Sequence, residues 1–185
     1  NKAVNNGGAL FVTGGDFTMT SGKIIENKTT AAKSNGGGIY VNDGNIVLGI
    51  ADCAGTGTNH TNTDNNKIHP LVQNNTAVDS GGGIALIGDG NITMYCGNVI
   101  DNSATNRGRG LNIYMEDGIF NFYNGDVGNP DLKNPELVIV GGTLINNQNS
   151  EYGNATLTYY HCNLLKDQDR HSGELANKTA TITKQ

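Results

Sequence analysis

The residues best equipped for chemistry in this chain are its four histidines and the aspartates near them. His60 and His69 share one stretch with Asp52 and Asp64; His161 and His171 share another with Asp167 and Asp169. Imidazole and carboxylate together can hold zinc or relay a proton. These spacings match no zinc pattern, so no metal site, no catalytic set and no cofactor is expected. Cys53, Cys96 and Cys162 form no CxxC pair. One disulfide with a leftover thiol, or three buried thiols, would both account for them. The pairs Asp43-Gly44, Asp89-Gly90 and Asp117-Gly118 could line up as a calcium row, but Asp and Gly are favoured in turns without any metal. Cleaving a sugar bond takes two carboxylates set across it. Here the carboxylates are scattered, and no Lys/Arg row recurs.

What positions these residues is a repeat. The chain has 185 residues, 27 of them Gly, with 36% hydrophobic residues and no Trp. The apolar residues come in short β-favouring clusters separated by turn residues, the pattern of many short strands. The tracts Gly7-Gly8-Ala9-Leu10, Gly36-Gly37-Gly38-Ile39 and Gly81-Gly82-Gly83-Ile84 recur, with a weaker copy at Gly108-Arg109-Gly110-Leu111. Leu10, Ile39, Ile84, Leu111 and, further on, Leu157 are expected to stack inward. A second alternating strand follows each anchor and should place Met19, Leu48, Met94 and Phe122 on one inner face. A third tract reads Ile24-Ile25-Glu26-Asn27, Leu71-Val72-Gln73-Asn74, Val99-Ile100-Asp101-Asn102 and Leu144-Ile145-Asn146-Asn147. Ile100 is expected to point inward with it.

Five coils of three short strands, stacked as a right-handed parallel β-helix, fit this repeat, because a single coil cannot bury its own apolar face. The domain is then one solenoid over 1–185, expected to be a fragment of a longer chain since it opens inside a repeat. Asn27, Asn74, Asn102, Asn147 and Asn177 mark one corner and read as a structural ladder of hydrogen-bonded side chains. Two long gaps become corner insertions at 49–69 and 123–142, leaving the rod at the same corner. They carry Asp52, His60, Asp64, His69, Asp126, Asp131 and Glu136, polar residues with no place in the repeat. Loops on one edge of a rigid scaffold are where a binding site is expected.

The Gly-Gly-Ala-Leu and Gly-Gly-Gly-Ile tracts, followed by apolar-x-x-Asn, resemble the GGAI and FxxN repeats of chlamydial polymorphic membrane proteins and of repeat-rich bacterial surface adhesins. Ile24, Leu71 and Val99 stand where those repeats have Phe. The resemblance covers about residues 1–110. It implies a secreted, bacterial cell-surface segment, adhesin or stalk, with a host-cell or glycan ligand. Net charge is −5 and no basic cluster is present, which argues against nucleic acid. No apolar run reaches the ~20 residues of a membrane span. The expectation is a non-catalytic adhesin-like segment, extracellular or at the cell surface. The alternatives are a carbohydrate-active enzyme and a purely structural spacer.

Overall fold

In the computed structural model, described here for residues 1–51, 69–106, 110–123, 125–128, 137–139, 143–146, 163–164 and 183–184, the chain is built from short strands that pair only in parallel. Each strand lies beside its equivalent one coil earlier and one coil later, and four sheets run along the axis. The first stacks Leu10–Thr13, Ile39–Asn42, Ile84–Ile87, Ile113–Met115, Leu137–Ile139 and Asn163–Leu164. The second stacks Asp16–Met19, Asn45–Leu48, Asn91–Met94, Ile119–Phe122, Thr143–Asn146 and Thr183–Lys184. The third holds Lys23–Ile25, Leu71–Gln73, Asn98–Ile100 and Asp126–Val127. The fourth holds Lys2–Ala3, Lys28–Thr29, Thr76–Ala77 and Ser103–Ala104. This is the parallel β-helix that the repeat implies, with a fourth two-residue strand in the coil beyond the three expected.

Side chains alternate across each strand. In the first sheet Leu10, Ile39, Ile84, Ile113 and Leu137 form one column. In the second, Met19, Leu48, Met94 and Phe122 form another. These columns meet in one apolar core, where Phe120 and Phe122 pack edge to face with ring centroids 6.0 Å apart. The fourth sheet contributes the small buried side chains Thr29, Ala77 and Ala104.

Four expectations are corrected by the register. The first-sheet anchor of the fourth coil is Ile113, because Gly110 and Asn112, not Gly108 and Gly110, pair with Gly82 and Ile84 of the coil before. Leu111 is only half-buried, and Leu157 lies outside the described residues. In the third sheet Ile24, Val72 and Val99 align. Val99 is fully buried, whereas Ile100 faces outward and Ile25 is 41% exposed. The tract beginning Leu144-Ile145 belongs to the second sheet, with Leu144 beside Phe120. Residues 123–142 are therefore no corner insertion. Asp126–Val127 pair with Asn98–Val99, and Leu137–Ile139 pair with Ile113–Met115. That span supplies the third strand of one coil and the first of the next.

The expansion after Leu48 behaves differently. Between Leu48 and Leu71 the chain has 22 residues where Met19 to Lys23 and Met94 to Asn98 have three, an excess of 19. Gly49 donates to Met19 O as Tyr95 does to Leu48 O, and Pro70 O accepts from Asn98 N. The repeat thus breaks after Gly49 and resumes at His69, and residues 50–68 are the addition. The strands on both sides of it keep full register.

Val99→Asp should abolish cooperative folding, since an unpaired charge in the core costs several kcal/mol. Ile100→Asp, one residue on and facing out, should shift the urea midpoint little. Equal loss in both variants would contradict the register.

Candidate functional site

A buried column of carboxamides runs along one corner. Asn27 donates its backbone N–H to Asn75 Oδ1 at 3.0 Å and its Nδ2 to the same oxygen at 2.9 Å. Asn75 repeats both bonds onto Asn102 Oδ1 at 2.9 and 3.0 Å, and Asn102 repeats them onto Asn112 Oδ1 at 3.1 and 2.7 Å. The second proton of each amide goes to strand carbonyls: Ile25 O for Asn27, Ile24 O and Gln73 O for Asn75, Val72 O and Ile100 O for Asn102. All four asparagines are at least nine-tenths buried. A buried amide pays for its desolvation only when its donors and acceptor are matched, and these three rungs match them.

The rung in the second coil is Asn75. Asn74, expected there, is exposed and sits with φ 55° at the preceding corner, beside Glu26 (φ 56°) and Asp101 (φ 54°) in the equivalent places. Asn tolerates that left-handed backbone better than most residues. Asn147 and Asn177 lie outside the described residues.

The glycine tract makes room for this column. A Cβ on Gly38 would lie 3.1 Å from the Asn75 carboxamide, and one on Gly83 would lie 2.8 Å from Asn102 Nδ2. In the fourth coil the matching residue is Asn112, whose own side chain is the last rung. Three residues after Val127, where Asn102 follows Val99, the sequence has Pro130, which has no N–H to give.

The proposed loop edge falls only in part within the described residues. Asp52, His60, Asp64, Asp131 and Glu136 lie outside the described residues, as do Cys53, Cys162, His161 and His171. His69 is not an exposed loop residue. It is 3% exposed, with Nδ1 3.3 Å from Cys96 Sγ, which is 1% exposed. His69 occupies in its coil the position Cys96 holds in the next, just before the residue that opens the third sheet, and this explains the contact. A pair so enclosed packs the corner. Beside it the rings of Tyr95 and Tyr123 lie with centroids 4.9 Å apart and planes tilted by 34°, a feature the sequence showed only as two tyrosines 28 residues apart.

Asp126 lies on the third sheet next to buried Asn98, not on a loop. Its side chain reaches solvent, yet partial burial raises its carboxyl above the ordinary range. Asp126 and His69 are therefore not brought together on a composite surface formed by two insertions, because the 123–142 span carries strands of the repeat.

Acidic residues gather at the opposite corner, between the first and second sheets. Asp16 accepts from Asn45 Nδ2 at 2.7 Å, Asn45 accepts in turn from Asn91, and Asp43 accepts from Asp89 N at 3.2 Å. Tyr40 lies near this row, where burial, then the charges of Glu116 and Asp43, push its phenol upward against a hydrogen bond with Asn6. Among the described residues no group of three or more His, Cys, Asp or Glu is placed to hold a metal ion. No helix among them is long and apolar enough to cross a membrane. No family model matches this chain, and comparison with curated proteins and with solved structures found no match.

Asn75→Ala leaves two buried Asn27 donors without their acceptor, at roughly 1–3 kcal/mol each. It should lower stability by at least ~2 kcal/mol in urea melts, while Asn74→Gly should be neutral or stabilising. Asp126 has a raised folded-state pKa, so the folded protein holds that proton more tightly than the unfolded chain does. Its contribution is present at low pH and is lost as pH rises through the folded value. Asp126→Asn should therefore melt higher than wild type at pH 7. The gap should close below about pH 3, where both side chains are neutral.

Proposed function

We propose that this chain is a non-catalytic segment of a cell-surface protein, a rigid β-helical presenter whose 50–68 insertion is the binding element for a host-cell or glycan ligand. The observation that carries this reading is the register around the insertion. The second sheet is continuous through Asn45–Leu48 and the third through Leu71–Gln73, so 19 added residues cost the scaffold no pairing. A solenoid tolerates such an addition because each coil depends only on its neighbours. The insertion is polar and holds Asp52, His60 and Asp64. Where it leaves the rod, Tyr95 and Tyr123 form an aromatic surface of the kind that sugar rings and apolar ligand groups stack on. The likeness of the repeat tracts to bacterial surface adhesins points the same way, and with it an extracellular location.

The test is a chain in which residues 52–66 are replaced by two glycines. Its melting temperature should stay within a few degrees of wild type. Binding to a glycan array or to cultured epithelial cells, measured with the labelled 185-residue chain, should fall to background. Retained binding with the insertion removed would overturn the assignment and leave the rod as a spacer. Cleavage of an acidic or neutral polysaccharide by the wild-type chain would replace it with the enzymatic alternative.

A further inference from the structure

The three Asp-Gly pairs differ in one respect that bears on their chemistry. Gly118 N–H donates to the side chain of its own neighbour, Asp117 Oδ1, at 2.7 Å. Gly118 N makes no backbone hydrogen bond to the adjacent coil, whereas Ile119 N, next along, donates to Gly90 O. Asp43 is held otherwise. Its Oδ1 accepts from Asp89 N at 3.2 Å and its Oδ2 from Asn42 Nδ2 at 2.8 Å. No bond joins Asp43 to Gly44 N or Asp89 to Gly90 N. Asp117 is exposed to water.

We propose that Asp117-Gly118 is a site of spontaneous covalent modification, in which the peptide cyclises to a succinimide and reopens as isoaspartate. The amide nitrogen of Gly118 loses its proton to water and attacks Asp117 Cγ in the carboxyl's protonated form. The N–Cγ bond forms, the Cγ–OH bond breaks, and the oxygen leaves as water. Water then adds to one of the two imide carbonyls. Opening at Cγ restores aspartate; opening at the main-chain carbonyl leaves the chain running through Cβ and Cγ, one methylene longer. The whole sequence consumes and returns one water and needs no other reactant. Glycine at 118 puts no side chain in the path of ring closure, and the fold holds nucleophile and electrophile against each other, which is the usual source of large intramolecular rate gains. The consequence is local. Gly118 backs onto Gly90 O so closely that a Cβ there would collide with it, so a lengthened backbone cannot keep this corner in stack.

The experiment ages the folded 185-residue chain at 37 °C in H2(18)O and maps isoaspartate and label by mass spectrometry of tryptic peptides. Lys67 and Arg107 separate the three Asp-Gly pairs into different peptides. Isoaspartate and 18O should accumulate at 117 about tenfold faster than at 43 or 89. In 8 M urea the three rates should converge, because all share the same dipeptide. Asp117→Glu should abolish the signal at that site alone while leaving the melting temperature unchanged. A rate at 117 no greater than at 43 in the folded chain would overturn the proposal. So would an excess at 117 that persists undiminished in urea, since the cause would then be local sequence and not the fold.

Discussion

A solenoid coil must bring its backbone back to the same place one strand spacing further on, and the buried carboxamide at one corner is what makes that return hold here. A corner is where backbone N–H and C=O groups leave the ladder of one sheet before joining the next. Those groups cannot be left unpaired inside the protein. Each rung answers the problem in both directions. The Asn27 oxygen side faces one layer and its donors face Asn75, while its remaining proton ties down Ile25 O in its own coil. The rung therefore links neighbouring coils and closes its own corner with a single side chain. The third glycine of the Gly-Gly-Gly tracts exists for this contact, because a methyl group at Gly83 would stand where the Asn102 amide lies. Tract and asparagine, far apart in sequence, are two halves of one device.

That dependence explains which parts of the fold were legible in the sequence. The four-residue strands of the first and second sheets show two apolar residues separated by one, and alternation over that length leaves one answer for which side faces in. Phe17-Thr18-Met19 and Ile92-Thr93-Met94 show this cleanly, so Met19 and Met94 could be placed from it alone. Leu10 and Leu48 stand in unbroken apolar runs and are placed by matching the repeat. The third sheet offers no such parity. Its strands are three residues long and carry adjacent apolar residues, Ile24-Ile25 and Val99-Ile100, so inward and outward readings look equally good. The doublet Asn74-Asn75 presents the same difficulty. A one-residue slip exchanges the faces, and only the pairing Ile24 to Val72 to Val99 decides it.

The misplaced insertion has a different origin. Leu144-Ile145-Asn146-Asn147 has the same pattern as Val99-Ile100-Asp101-Asn102, although its first two residues extend the second sheet. Matching the one to the other forces some 20 residues out of the repeat. The true third strand, Asp126–Val127, is two residues long and opens on an aspartate, with too little apolar character to announce itself. Gly108-Arg109-Gly110 misled in the same way, imitating a glycine tract two residues early. The candidate site was legible only as an excess of length after Leu48. Its chemistry was not, since the burial of His69 follows from the column it shares with Cys96, which no local pattern reveals.

The fourth coil shows how far the carboxamide rule extends and where it changes hands. By spacing, its rung should come three residues after Val127, and that residue is proline. The preceding coil still needs an acceptor for Asn102 N–H and Nδ2–H, both deeply buried. Asn112 supplies it from the other half of the device, occupying the place of the glycine that elsewhere clears the space. A glycine at 112 would leave two buried donors unmet, and an asparagine at 83 would meet Asn102 already in its space. The two substitutions in the repeat, proline for asparagine and asparagine for glycine, are thus one exchange. They keep the corner of the third coil satisfied at the point where the repeat itself becomes irregular, so the departure of the later sequence from the glycine-tract pattern does not unravel the coils before it.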